Sequence, residues 1–432
     1  MNNDKSYSDK CALNLNRAIK SLLSVVAIAF VAVLVACSAD DNGPASSVPG
    51  EMKETAIIVS AKAPAANGSV EKESSINTLR IYAFHDGRLV GYHYSAGPVQ
   101  NTKRINMQLP SAMVNVYAIV NEASVGQLKK NNGDDFNLPG PVDGSEADLK
   151  TITITEDDIK ELTFSTLPEA ELTSGNPDEK DENKKTYDAP YLPMASMVSA
   201  DLSYSSTVSL NLIRSVAKLN LYFAKQGMMS DTIYMGRGLY LYNVPEYGYL
   251  LPRDTYTGAF NNIESDNGDN SDSYLNQKGG KIILRCGWTD EGKPGAGTPT
   301  DDNLESHINE ILVFNNTPEN DQELGNYQHM PARPIYLFAN PNAIPENESP
   351  SDKKFTSTNP GYYVKILAHM HRHDSDGSTD HPGEIFWVAL PEVKANDNIE
   401  IMSIITVDGY MSITPHWMIT DWTTGGGNIE FN

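Results

Sequence analysis

Val208–Phe223 reads VSLNLIRSVAKLNLYF, two abutting strands near the middle of the chain. Apolar residues take even positions at Val208, Leu210 and Leu212, then odd positions from Ile213 through Ala217, Leu219, Leu221 and Phe223. Side chains of a strand alternate faces with a period of two, so this slip marks either a bulge or a chain that changes the sheet it packs against. Arg214 and Lys218 fall on one face. Outward from this stretch, the N-terminal side predicts strands at Thr55–Ala61, Leu79–His85, Arg88–Tyr94, Ile105–Leu109, Val114–Val120 and Ile152–Ile154. Asp86-Gly87 is the two-residue turn that favours a type I′ hairpin. The C-terminal side predicts strands at Leu239–Val244, Lys281–Arg285, Ile311–Phe314, Ile335–Ala339, Tyr362–His371, Ile385–Leu390, Ile399–Val407 and Tyr410–Ile413, with Asp408-Gly409 as a second tight hairpin. One helical turn is expected at Asp157–Leu162. Many short strands at turn-separated spacing, without a long amphipathic helix or a solenoid repeat, make the class all-β.

A chain of 432 residues exceeds the usual limit of a single core, so two domains are expected. The divisions read from composition are 1–36, 37–53, 54–204 and 205–432. The first carries Lys5, Lys10, Arg17 and Lys20 before the apolar run Leu22–Ala36 and ends Leu34-Val35-Ala36-Cys37. That is the form of a lipoprotein signal peptide, too short and too closely followed by Asp40-Asp41 for a spanning helix, with Cys37 as the lipidated residue. Ser38–Lys53 is polar and Pro-containing, a tether with nothing to bury. Loss of residues 1–36 would take the net charge from −23 to about −25. So acidic a chain is no nucleic-acid binder, since phosphate neutralisation needs clustered Lys and Arg. With Cys11 in the signal and Cys37 acylated, Cys286 stands alone and is expected as a buried strand residue, so no disulfide supports the fold.

Arg214-Ser-Val-Ala-Lys218-Leu resembles the strand of that pattern in the Bacteroidales fimbrillins, subunits of type V pili. Leu79–Phe84 (LRIYAF) leading into Asp86-Gly87, Val116–Glu122 (VYAIVNE), Leu192-Pro193-Met194 and a Trp-containing C-terminal strand follow the same family order. The resemblance implies two tandem transthyretin-like β-sandwich domains after a lipoprotein signal, delivered to the outer membrane by the N-terminal lipid. It further implies that a trypsin-like protease removes the first strand, and that β-strand addition by another fimbrial subunit fills the groove left behind. Carried onto this chain, the removable strand is Thr55–Ala61, with Ile57 and Val59 facing the groove, and the cut lies within Pro64–Ser75. No arginine occurs between Cys37 and Arg80, so Lys72 is the expected cleavage residue, with Lys62 behind it. The residues after Trp422 are few for a donor strand, which points to a tip or accessory pilin with a role in adhesion.

No nucleophile elbow, zinc-protease helix, phosphate-binding loop or dinucleotide fingerprint occurs in a usable context, so no enzyme and no cofactor is expected. His369, His371, His373, Asp374, Asp376, Asp380, His381 and Glu384 gather four of the nine histidines at a strand end. A comb of imidazoles on one strand face suits a transition metal, but the stretch reads as running out into a solvated loop, and no metal is assigned. Asp374–Asp380 and Asp266–Asp272 carry calcium-like spacing without the closing Glu, and read as acidic turns. Trp417 and Trp422 read as core plugs before sugar platforms. Two other readings fit the same features: a glycan-binding outer-membrane surface lipoprotein, and a fimbrial anchor subunit that keeps its first strand and lipid.

Overall fold

The computed structural model describes residues 51–61, 72–130, 132–142, 146–174, 186–226, 232–260, 281–284, 311–312, 327–331, 333–343, 361–374, 377–380, 384–408 and 410–421. Gly50–Asn432 forms one compact unit, and within it the protein is all-β. The first strands are β1 (Met52–Ala61), β2 (Ile76–His85), β3 (Arg88–Gln100), β4 (Thr102–Pro110) and β5 (Met113–Val120). Short pieces follow: β6 (Leu128–Lys129), β7 (Asp135–Phe136), β8 (Thr163–Phe164), β9 (Glu171–Ser174) and β10 (Thr186–Asp188). Then come β11 (Met194–Asp201), β12 (Thr207–Arg214), β13 (Ala217–Gln226), β14 (Thr232–Tyr242), β15 (Pro245–Tyr249) and β16 (Tyr256–Phe260). The last group is β17 (Lys281–Leu284), β18 (Ile311–Leu312), β19 (Gln328–His329), β20 (Ile335–Leu337), β21 (Tyr363–Asp374), β22 (Gly377–Asp380), β23 (Glu384–Ala389), β24 (Asp397–Asp408) and β25 (Tyr410–Asp421).

Seven strands run in the order β3-β2-β5-β11-β12-β1-β4. β11 and β12 share only the pairs Met194↔Arg214 and Ala195↔Ile213, so the path folds there into two facing layers. β3 and β4 are consecutive in the chain yet stand at opposite ends of the path, which brings them face to face. Gly91 on β3 shows how close they come: a Cβ there would meet Leu109 Cδ2 at 2.5 Å and Met107 Cε at 2.9 Å on β4. The space between the layers is filled by Ile57, Val59, Ile81, Val116, Leu109, Leu210 and their neighbours. The other face of the β2–β5 layer is also covered, because Tyr82, Phe84, Tyr117 and Ile119 pack with Val125, Leu128, Ile159, Leu162 and Phe164 of the segment that follows β5. Burial on both faces is why β2 reads as an apolar run (LRIYAF) broken only by Arg80, rather than as an alternating one.

The alternation slip in 208–223 is a change of sheet. β12 buries Val208, Leu210, Leu212 and Arg214 in the first sandwich, and β13 buries Leu219, Leu221 and Phe223 in a five-stranded sheet, β19-β13-β24-β25 with β20 also on β13. The crossing falls at Ser215-Val216, between β12 and β13. A six-stranded sheet holds β17-β14-β21-β22, with β18 on β14 and β23 on β21. Asp86 (φ 47°) and Gly87 (φ 71°) are both left-handed, as the hairpin between β2 and β3 requires.

Two local expectations differ. Ile152–Ile154 joins no ladder: it leads into Thr155, the N-cap of a short helix at Glu156–Lys160 whose capping box with Asp158 satisfies the first turn instead. β21 runs on to Asp374 and pairs with β22 (His371↔Asp380, His373↔Ser378), so the histidine-bearing stretch stays in the strand.

Candidate functional site

β1 is the middle strand of the β12-β1-β4 layer. It runs parallel to β12, from Ala56↔Thr207 to Ala61↔Leu212, and antiparallel to β4, from Met52↔Pro110 to Ser60↔Thr102. Thr55, Ile57, Val59 and Ala61 point inward and are buried, Ile57 and Val59 completely. Burial of each of these two side chains contributes about 1.5–3 kcal/mol. Among the described residues β4 has no ladder partner except β1. Without β1 the layer would open between two edges of opposite direction over an apolar floor.

Where β1 is held by a ladder and apolar side chains, the chain leading into β2 is held by charge. Lys72–Ser74 is a 3-10 turn closed by Ser75 N–H donating to the Lys72 carbonyl at 3.1 Å. Glu73 is 4% exposed and its carboxylate accepts from Lys218 Nζ at 2.9 and 3.2 Å and from the Tyr336 hydroxyl. Arg214, 2% exposed, donates Nε to the Glu73 carbonyl (3.0 Å), Nη2 to Ser74 Oγ (2.7 Å) and Nη1 to Asn396 Oδ1 (3.0 Å). Burial, with the Glu73 carboxylate beside it, pushes the Tyr336 hydroxyl far above its ordinary range, so it stays a donor. Glu73 thus joins β13 and β20 through its carboxylate and β12 through its backbone carbonyl, and Arg214 carries the connection on to the loop before β24. A buried cation is tolerated only when paired and hydrogen-bonded, and both conditions are met here.

Ile57 and Val59 stand where the sequence places them, on the inner face of β1. Lys72 is half-exposed, its ammonium 2.8 Å from Asp188 Oδ2, and that hydrogen bond raises its pKa. It borders an open cleft of about 430 Å³ with Asn77, Thr78, Asn121 and Tyr191. The Asn121 amide is consumed internally by Asn77, Thr78, Ser75 and Leu192 backbone groups. Arg80 is buried in β2, paired with Glu122 at 2.7 Å and bonded to the Pro139 carbonyl. Cys37, Lys62, Cys286, Trp422 and the side chains of the 369–384 cluster and Trp417 lie outside the described residues. Among the described residues no group of His, Cys, Asp or Glu is placed to hold a metal, and no helix is long and apolar enough to cross a membrane.

Sequence reasoning placed Arg214 and Lys218 together but missed Glu73, Tyr336 and Asn396. The signal was present in Arg214 and Lys218 themselves: two cations on apolar strands demand an anion from elsewhere in the chain.

These features define a class, the all-β sandwich protein whose inner layer is completed by its own N-terminal strand. No family model matches the chain, and no curated protein does. Among solved structures it is similar to a protein from Bacteroides eggerthii assigned to cell adhesion (13% identity, TM-score 0.43, 87% of this chain and 98% of that one). It is also similar to a fimbrilin from Porphyromonas gingivalis (10% identity, TM-score 0.42, 87% and 98%). A third is the tip fimbrial protein of Porphyromonas gingivalis with C-terminal truncation (12% identity, TM-score 0.40, 86% and 100%). The solved structures it resembles are thus Bacteroidales fimbrillins and proteins assigned to cell adhesion.

Proposed function

We propose that this chain is a structural subunit of a cell-surface fimbrium, exported as an outer-membrane lipoprotein acylated on Cys37 and matured by removal of β1. The observation that carries this reading is the seat of β1, which lies between a parallel and an antiparallel neighbour with every other side chain buried. A segment of the same alternation from another subunit would satisfy both edges and refill the apolar floor. A trypsin-like protease acting between β1 and β2 would create that vacancy. The long polar insertions at 264–273, 289–302, 315–327 and 340–359 suit a tip or accessory pilin that touches a ligand better than a packed shaft. Its chemistry is association between subunits, with no catalytic role.

Intact mass and N-terminal sequencing of the protein from its native cell surface test this. A start downstream of β1, without lipid, is expected. A lipidated Cys37 start would instead favour the anchor subunit or the glycan-binding lipoprotein.

A further inference from the structure

Resting on that reading, we infer that the Lys72–Glu73 peptide bond is shielded from trypsin-like proteases in the folded subunit, and that the Glu73 cluster is the point at which strand removal stops. Four observations carry this. A serine-type protease must take the scissile carbonyl into its own oxyanion donors, and the Lys72 carbonyl is already bound to Ser75 N–H inside a 3-10 turn. The residues on the far side of the bond must be drawn out as an extended strand, yet Glu73, Ser74 and Ser75 are 4%, 2% and 0% exposed. Arg214 holds the Glu73 carbonyl and the Ser74 hydroxyl, while Lys218 and Tyr336 hold the Glu73 carboxylate. The Lys72 ammonium, which the protease would need, is tied to Asp188.

The product is disfavoured as well. Hydrolysis adds one water across the amide, leaving a carboxylate on Lys72 and an ammonium on Glu73. That ammonium would arise on a buried residue that already meets Arg214 and Lys218 with a single carboxylate between them. Tolerance to nicking follows burial and backbone hydrogen bonding, not position in the sequence. Lys72 is therefore a protected basic residue, and everything from Glu73 onward stays with the body when β1 leaves.

Native-state trypsin digestion of the full chain, followed by intact mass and N-terminal sequencing, tests this against a synthetic peptide spanning residues 66–80. Cleavage after Lys72 is expected about a hundredfold slower in the folded chain than in the peptide, and slower than opening of the body elsewhere. Glu73→Gln and the milder Ser74→Ala, each verified as folded by circular dichroism, are expected to raise the rate at that bond about tenfold. A Glu73 N-terminus appearing within about tenfold of the peptide rate would overturn the inference, as would folded variants cut no faster than the parent. Persistence of β1 on protein recovered from cells would overturn the strand-removal reading while leaving the shielded bond standing.

Discussion

β1 and β13 occupy comparable places in two sheets of the molecule. Each runs parallel to a strand that follows it in the chain, β1 to β12 and β13 to β24. Their attachments differ. β1 contributes ladder bonds and an alternating apolar face, which any strand of that pattern could supply. β13 follows β12 after only Ser215 and Val216, and Lys218 ties it to Glu73. A generic attachment permits replacement, whereas a charge constellation names its partner residue by residue. β1 is thus held by its ladders and its apolar face, and β13 by these together with the Lys218–Glu73 ion pair.

The comparison breaks most visibly at Ile57. Ile57→Asp places an unpaired carboxylate in the first core and is expected to cost more than about 4 kcal/mol, enough to unfold that sandwich, as urea titration would report. Ile57→Val, which keeps the pattern, should cost about 1 kcal/mol. Near-equal losses would mean that β1 is held by something other than its apolar face.

Arg214→Met comes next. It strips the Glu73 carbonyl, Ser74 and Asn396 of their donor, and an expected loss of about 3–4 kcal/mol in guanidinium unfolding follows from opening a buried ion cluster. Met supplies similar apolar volume, so a loss below about 1 kcal/mol would demote the cluster to packing.

His329 on β19 sharpens the β13 side. It stacks on Tyr222 of β13 at 4.7 Å, and burial, with Lys218 nearby, lowers its pKa from 6.5 to about 4. The unfolded chain therefore takes up the proton first as pH falls. The neutral imidazole's contribution is complete above pH 6.5 and is lost through the window down to about 4. That loss is up to about 3 kcal/mol. Glu400, whose carboxyl burial pushes up, titrates in the opposite sense. Denaturant unfolding of the parent and His329→Gln at pH 7 and pH 5 isolates the imidazole: the parent should lose more stability on acidification, and parallel losses would refute the assignment.

The smallest effect belongs to Lys72→Ala. Its bridge to Asp188 joins side chains 39% and 50% exposed, and thermal unfolding should change by less than about 0.5 kcal/mol. A larger change would extend the lock to Lys72 itself.

How legible the molecule is varies with distance along the chain. The β2–β3 hairpin was readable because Asp86-Gly87 sets its turn, and the two-residue turn sets the register beside it. Ile57 and Val59 were readable as inward-facing for the same local reason. Ile152–Ile154 misled because its apolar residues pack without a ladder, the backbone being committed to the helix cap at Thr155. The histidine-bearing stretch misled in the other direction, since β22 extends the ladder through residues of low strand preference. Glu73 is a single acidic residue among 56 Asp and Glu, and nothing within several positions of it distinguishes it.

By itself, then, the sequence determined the all-β class, the positions of most strands and the face each presents, because these follow from period-two alternation and turn chemistry acting over a few residues. Only the tertiary structure decided that β1 lies parallel to β12, and that Glu73 meets Lys218 and Tyr336. Those contacts join residues more than a hundred positions apart, where burial forces each cation to find its counter-charge and no local pattern records which one it will be.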